Sequence, residues 1–283
     1  MGRARHAGKS LVATDLIRRA GLAATALSPA AAFLLGPGMV ARGVPASGWP
    51  ALVRQAMAYA APRTRMPLEA PRRLPETAGG VANSAQARAG ADSYEVTLYR
   101  CSPHPLGLNS PGIGRGSCGA MASIYGSFGG QELPDAAKAS ASLPRPPARR
   151  GCPRSTRVAL GRGVVATAYS GDPVPPGPRL ASYCEATWVM GRWSFFLSGN
   201  LSGATGAGTL PWTSLARGEV AYFSAHPVRA EEGVFSADVA GDGIHTTLAW
   251  RNGDDVYNAG LYHGDLGAIA LAASLAPYPG GRG

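Results

Sequence analysis

Residues 244–262 read IHTTLAWRNGDDVYNAGLY, and this stretch decides the fold. Apolar and polar residues alternate on both sides of Asn252 and Gly253, as they do in half-buried strands. An Asn-Gly pair readily adopts the positive φ angles that a tight turn requires. The stretch therefore predicts an antiparallel β-hairpin near the C-terminus.

The segments around this hairpin extend the pattern. Strand-like runs occur at 94–101, at 156–170 around a Gly-Arg-Gly turn, at 182–200 and at 233–241. Two further runs have helical spacing and end at prolines, one near Pro227 and one near Pro277. We expect an α+β fold, in which a curved antiparallel β-sheet carries two short helices on one face.

Two blocks of this region resemble each other. One contains A-T-W-x-M-G, a strand and a helix, and the other contains L-A-W-x-N-G, a strand and a helix. Trp188 and Trp250 occupy equivalent places before the two turns. The likeness indicates either an internal hairpin-helix duplication or a coincidence in an alanine-rich sequence.

The N-terminal 46 residues have the layout of an export signal. Basic residues precede an uncharged stretch at 20–35, which as a helix spans roughly 24 Å and falls short of a bilayer core of about 30 Å. We expect residues 1–46 to be a signal peptide, with cleavage after Ala46 as one candidate, or else an N-terminal anchor. This segment is the only expected contact with a membrane.

The positive charge does not indicate a nucleic-acid-binding protein. The formal charge is +10, but residues 1–46 supply half of it, with six basic residues against Asp15. The remaining arginines are scattered and their densest runs lie among prolines, whereas nucleic-acid binding needs cations clustered on one face. A basic nucleic-acid-binding protein stays an alternative to an exported one.

The remaining sequence divides into a tether and a folded body. Residues 47–93 are rich in Pro, Ala and Arg and offer little to bury, so we expect a tether that contains at most one short helix. Residues 94–278 are expected to form a single α+β domain with an irregular loop at 131–156. Residues 279–283 are expected to be a disordered tail.

Four cysteines fit an exported chain. An even number in an oxidising compartment predicts two disulfides, with three pairings open, whereas four free thiols would fit the cytosol. Their spacings match no zinc motif. The residues are Cys101, Cys118, Cys152 and Cys184.

Motifs that suggest chemistry are weak in this chain. Residues 114–119 match G-x-G-x-x-G, but a proline-rich stretch precedes them where a dinucleotide site needs a strand, so we predict no cofactor. Ser117, with His245 as base and Asp242 as orienting acid, defines an alternative in which the protein is a secreted hydrolase. Residues 116–119 do not complete the G-x-S-x-G pattern of a nucleophile elbow.

The polar segment 240–247 contains Asp242 and His245. Asp242 lies between two glycines, which favours a polar turn that leads into the next strand. With His263 the two residues define a hypothetical metal site, but their spacing matches no known ligand pattern, and we predict none.

Aromatic and polar residues around the hairpin form a candidate binding surface, because aromatic rings pack at interfaces and stack on sugars. The alternative is that they form the core of a small sheet. The surface consists of Trp250, Tyr257, Asn258, Tyr262 and His263.

A Trp, a turn, an aromatic strand and a short helix at 265–275 together resemble uncharacterised bacterial envelope domains of the sensor type or of the LolA/LolB-like kind. The resemblance covers residues 182–278 and rests on Trp250, Gly253, Tyr257 and that helix. It implies an exported α+β domain without transferable catalytic residues. We therefore expect a non-enzymatic extracytoplasmic protein, secreted or membrane-tethered, that binds an envelope component or protein partner.

Overall fold

The computed structural model describes residues 48–77, 80–119, 123–146, 152–170, 182–202, 212–240, 243–262 and 266–279. These residues belong to one compact unit, Gly43–Gly283. The expected export signal at 1–46 lies outside the described residues, and so does the expected tail apart from Pro279.

Within the described part of the chain, ten strands form the main sheet. They are β2 (Ser84–Gly90), β3 (Ser93–Tyr99), β4 (Ile124–Glu132), β5 (Arg154–Gly161), β6 (Val164–Ser170), β7 (Ser182–Met190), β8 (Trp193–Ser202), β9 (Glu232–Ala240), β10 (Gly243–Asn252) and β11 (Asp255–Tyr262). Their order is β2-β3-β4-β11-β10-β9-β8-β7-β6-β5. A separate ribbon pairs β1 (Glu69–Pro71) with β12 (Leu275–Pro277).

The sheet is antiparallel except at its centre, where β8 and β9 run parallel. A helix in the connection between them explains this exception, since parallel neighbours need a long crossover. The predicted hairpin is present as β10 and β11, with Asn252 opposite Asp255 and Gly253 at a φ of 65°.

Among the described residues, four α-helices accompany the sheet: α1 (Ala51–Ala60), α2 (Ala136–Ser142), α3 (Trp212–Ala225) and α4 (Gly267–Ala273). Residues of α1, α3 and α4 share one core cluster with the sheet. Short α2 lies against the other face, where Ser140 contacts Glu232 and the following Leu143 packs with Phe196 and Val234. The expected α+β class holds, but three helices rather than two contribute to the main core.

Aromatic rings form the centre of that core. Phe223 of α3 meets Trp193 and Phe195 of β8 edge to face, both at 5.1 Å between ring centroids. Phe195 also stacks on Trp188 at 5.3 Å. Such pairs add roughly 0.5–1.5 kcal/mol each beyond simple burial, so they fix α3 on the β7–β8 hairpin.

Residues 47–93 contribute to the folded body instead of forming a tether. They supply α1, β1 and β2, and Val53, Ala56 and Met57 of α1 are fully buried. The Trp49 indole donates a hydrogen bond to the Ala70 carbonyl at 3.2 Å. The alanines that suggested little capacity for burial allow close packing of backbones, and this is the physical reason for the correction.

The described residues of the segment 131–156 also contain more regular structure than expected. It contains the end of β4, the whole of α2 and the start of β5. The Asp135 side chain caps α2 by accepting a hydrogen bond from the Lys138 backbone N–H at 2.7 Å. An aspartate at this position satisfies a backbone donor that the helix itself leaves open.

Glycines let strands approach each other in β4. A Cβ atom on Gly129 would overlap with the Tyr94 carbonyl oxygen on β3, at a distance shorter than van der Waals contact allows. The strand-like runs identified in the sequence do not include β4. Its pairing with β3 and β11 makes it a central strand.

Candidate functional site

The two faces of the main sheet divide the predicted aromatic surface. Trp250 and Tyr257 point towards α1, α3 and α4, with only 1% and 4% of their surface exposed, and their rings stack at 5.9 Å. Asn258 and Tyr262 are half-buried on the opposite face. Successive strand residues point to opposite faces, so these residues cannot form one surface. His263 lies outside the described residues.

We call the face opposite α1, α3 and α4 the open face. Four polar or aromatic side chains cross it in register on neighbouring strands β8, β9, β10 and β11. Ser198 is opposite Asp238, Asp238 is opposite His245, and His245 is opposite Tyr262. These four residues are the polar row.

Contacts join the members of the polar row in pairs. The Ser198 hydroxyl donates a hydrogen bond to the Asp238 carboxylate at 3.3 Å. The His245 ring meets the Tyr262 ring edge to face, with centroids 4.9 Å apart and planes at 80°. Asp238 is exposed and the other three are half-buried, so each keeps some surface available to a ligand.

Further polar residues continue the site towards β2 and β3. Arg88 of β2 is directly opposite Glu95 of β3. Burial raises the pKa of the Tyr262 hydroxyl, and the Glu95 carboxylate raises it further. Burial also raises the pKa of Tyr99, although Arg88 opposes this effect. Both phenols therefore stay protonated at neutral pH and can donate hydrogen bonds.

The chemistry of the polar row suits binding. Hydroxyl, carboxylate, imidazole and phenol groups provide donors and acceptors at spacings set by the strands. A serine nucleophile needs a base in contact with its hydroxyl. Here Asp238 lies between Ser198 and His245, so the imidazole is not placed on the hydroxyl of Ser198.

The residues of the alternative hydrolase are only partly described. Asp242 lies outside the described residues, and the side chain of Ser117 is likewise outside them. His245 is on β10, whereas Ser117 belongs to a short 3₁₀ turn, Gly116–Cys118. Within the part of the chain that the structure describes, no group of three or more His, Cys, Asp or Glu side chains is placed to hold a metal ion.

Both predicted disulfides are present. Cys101 pairs with Cys118, and Cys152 pairs with Cys184, with Cα atoms 4.6 Å and 6.4 Å apart. The first disulfide helps to line a cavity of about 360 Å³ together with His104. The G-x-G-x-x-G motif belongs to this loop, and the next described element after it is strand β4 rather than the helix that a dinucleotide site requires.

Charged residues fasten α2 over one end of the open face. Arg251 donates hydrogen bonds to Glu231 at 2.7 Å and to Glu232 at 3.0 Å. Ser140 of α2 donates to the same Glu232 carboxylate at 2.7 Å. Because of the Ser140 hydroxyl and the Arg251 guanidinium, the pKa of Glu232 is lowered. The polar row lies further along the strands, away from the end of the open face that α2 covers.

Sequence reasoning missed Asp238 and Ser198. Both occupy strands whose alternation was recognised, but their contact joins residues 40 positions apart. The parallel pairing of β8 with β9 that creates this contact was not expected. A search for polar residues on the outward positions of all strands would have selected both.

No family model, curated protein or solved structure matches this chain. Among the described helices, none has both the length and the apolar character required to cross a membrane.

Proposed function

We propose that this protein is an exported, non-enzymatic domain that binds a hydroxyl-rich envelope component, such as a cell-wall glycan, on its open face. The polar row is the observation that carries the proposal. Its donors, acceptors and aromatic ring lie in register across four strands, and such groups can pair with hydroxyls while the ring packs on an apolar sugar face.

The two disulfides support an extracytoplasmic location. Disulfides persist in oxidising compartments and are rare in the cytosol. The free-cysteine alternative does not apply, because all four cysteines are paired. An export signal at residues 1–46 would deliver the chain to such a compartment.

A rigid sheet supports recognition better than a loop does. Ser198, Asp238 and His245 lie on strands paired on both sides at these positions, and Tyr262 is paired with His245. The Trp250–Tyr257 stack packs directly behind β10 and β11. Little conformational entropy is then lost when a ligand binds.

Binding can be tested with soluble glycan fragments from the cell wall of the producing organism. We expect the wild-type protein to bind them in calorimetry and Tyr262→Ala to weaken binding about tenfold. Tyr59→Ala is the matched control, because Tyr59 is also half-buried but belongs to α1. Equal affinity of Tyr262→Ala and wild type, or a fall in Tyr59→Ala of the same size, would refute the open-face site.

We also propose that the hairpin-helix units β7–β8–α3 and β10–β11–α4 arose by duplication. Trp188 is opposite Phe195 and Trp250 is opposite Tyr257, and both pairs stack. Gly191 and Gly253 have nearly equal φ angles of 61° and 65°. An experimental structure in which only one hairpin keeps this register would refute the proposal.

A further inference from the structure

The two edge strands of the main sheet differ in how many of their backbone groups are hydrogen-bonded to other parts of the chain. An edge strand presents unpaired backbone N–H and C=O groups, which can pair with another chain unless something covers them. The edges here are β2 at one end and β5 at the other.

The protein closes the β2 edge with its own loop. The Asn109 backbone N–H donates to the Ala85 carbonyl at 3.1 Å, and the Asn109 side-chain oxygen accepts from the Ala87 N–H at 2.7 Å. Leu106 N–H donates to the Ser84 hydroxyl at 2.8 Å. Asparagine suits this position because its φ is 57°, a conformation it tolerates well.

The β5 edge has no such cover within the described part of the chain, where β6 is its sole partner strand. Arg217 of α3 donates to the Ala159 carbonyl at 3.3 Å and occupies one position of this edge. Residues 154–157 are exposed, and Val158 is half-buried. As far as the described residues go, β5 therefore offers a stretch long enough to pair with an extended peptide.

Among the described residues of β5, β6, their turn and α3, the exposed charges all have one sign. Exposed ionisable residues on β5, β6, their turn and α3 are arginines in every case, and the single acid on these elements, Glu219, is fully buried. An acidic strand would therefore gain favourable charge pairs. A second copy of β5 would instead bring two sets of arginines together. The arginines are Arg154, Arg157, Arg162 and Arg217.

The side chains of β5 also specify a pattern. Val158 is opposite Ala166, which is fully buried, so Val158 lies on the helix-facing side. Arg157 points to the open face, opposite Thr167. An added strand that alternates acidic and apolar residues would place its acids beside Arg157 and its apolar side chains beside Val158.

We propose that the β5 edge binds an extended acidic peptide segment by strand addition, at a site separate from the open-face glycan site. Backbone hydrogen bonds provide the affinity, and the arginines select acidic partners. This interaction does not depend on the polar row.

An eight-residue fluorescent peptide that alternates Val and Glu is a direct probe for the full-length mature protein. We expect saturable binding by anisotropy, which Arg157→Glu weakens about fivefold or more, because an attraction becomes a repulsion. Arg73→Glu reverses an equally exposed charge beside β1 and is expected to leave the affinity unchanged. Tyr262→Ala is also expected to bind normally, which separates this site from the proposed glycan site.

A second peptide, N-methylated on alternate amides along one edge, keeps the charge but cannot complete strand pairing. We expect it to bind at least tenfold more weakly. Equal binding of the two peptides would overturn the proposal and indicate a general polyanion site. An equal effect of Arg73→Glu, no binding at millimolar peptide, or a dimer that Arg157→Glu dissociates would overturn it as well.

Discussion

His245 and Tyr262 are directly opposite each other on β10 and β11, and their rings meet edge to face at 4.9 Å on the open face. A few residues away on the same two strands, Trp250 and Tyr257 stack on the other face, inside the core. One hairpin thus contributes both to the stability of the fold and to the proposed binding surface. Substitutions can separate the two contributions.

The two tyrosines of β11 are expected to differ in their effect on stability. Tyr257→Ala removes a ring from the core and should lower the free energy of unfolding by about 3–5 kcal/mol. Tyr262→Ala removes a half-buried ring and should cost about 1 kcal/mol or less. Urea unfolding of both variants checks this. A larger loss for Tyr262→Ala would mean that the open face is part of the structural core.

Each disulfide is expected to contribute substantially to stability. They close loops of 17 and 32 residues. Reducing either one frees the unfolded chain from this restriction and should lower the free energy of unfolding by roughly 3–4 kcal/mol. Urea unfolding with and without a reductant measures the loss. Under denaturing, non-reducing conditions the purified protein should show no reactive thiols, and four reactive thiols would contradict the pairing.

The hydrogen bond from the Ala87 N–H to the Asn109 side chain is expected to stabilise the β2 edge. Asn109→Ala leaves the buried Ala87 N–H without its acceptor and places a poorly suited residue at positive φ, so it should cost about 2 kcal/mol. Asn109→Asp keeps the acceptor and should cost under about 1 kcal/mol. Amide exchange at Ala87 should accelerate in the alanine variant only; equal exchange in both variants would argue against the contact.

Glu69 predicts a specific dependence of stability on pH. Burial, followed by the nearby Asp255 carboxylate, raises the pKa of Glu69 above its usual value of 4.5. As the pH rises from that value, the unfolded chain loses this proton before the folded protein does, so the folded state becomes less stable. The penalty is complete once the pH exceeds the raised folded pKa.

Glu69→Gln removes this penalty and should increase the free energy of unfolding at pH 7, with little change below pH 4. Glu76→Gln, at an exposed glutamate, serves as a control. Urea titrations from about pH 4 to pH 7 follow the effect. A destabilised Glu69→Gln protein at pH 7 would show that the ionised carboxylate is favourable in the folded state.

The parts of the fold that could be predicted depend on local signals. Alternation and the Asn252-Gly253 pair identify the β10–β11 hairpin because both lie within one short stretch. The turn itself is one residue further on, at Gly253 and Asp254, and Asn252 ends β10. The pairing of β8 with β9 joins segments separated by α3, and no local pattern records it. The polar row depends on this pairing, so the contact between Ser198 and Asp238 could not be predicted, although alternation places each of them on an outward position of its own strand.

The strand β2 and the burial of α1 were not predicted, for a different reason. Segment 84–90 contains no large apolar residue, yet Ala85 and Ala87 are buried between neighbouring elements. Small side chains of this kind do not produce a clear hydrophobic pattern, although they pack closely. Composition therefore suggested a tether where the chain forms β2 and α1.

The most direct test of the open-face proposal maps a bound glycan on the protein by NMR. Titration of the isotope-labelled protein with cell-wall glycan fragments should shift the signals of Ser198, Asp238, His245 and Tyr262 together, with a single dissociation constant. Signals of Tyr59 on α1 and of the buried Trp250 indole should change little. Shifts confined to the helical side, or an absence of shifts at the polar row when glycan is bound, would contradict the account.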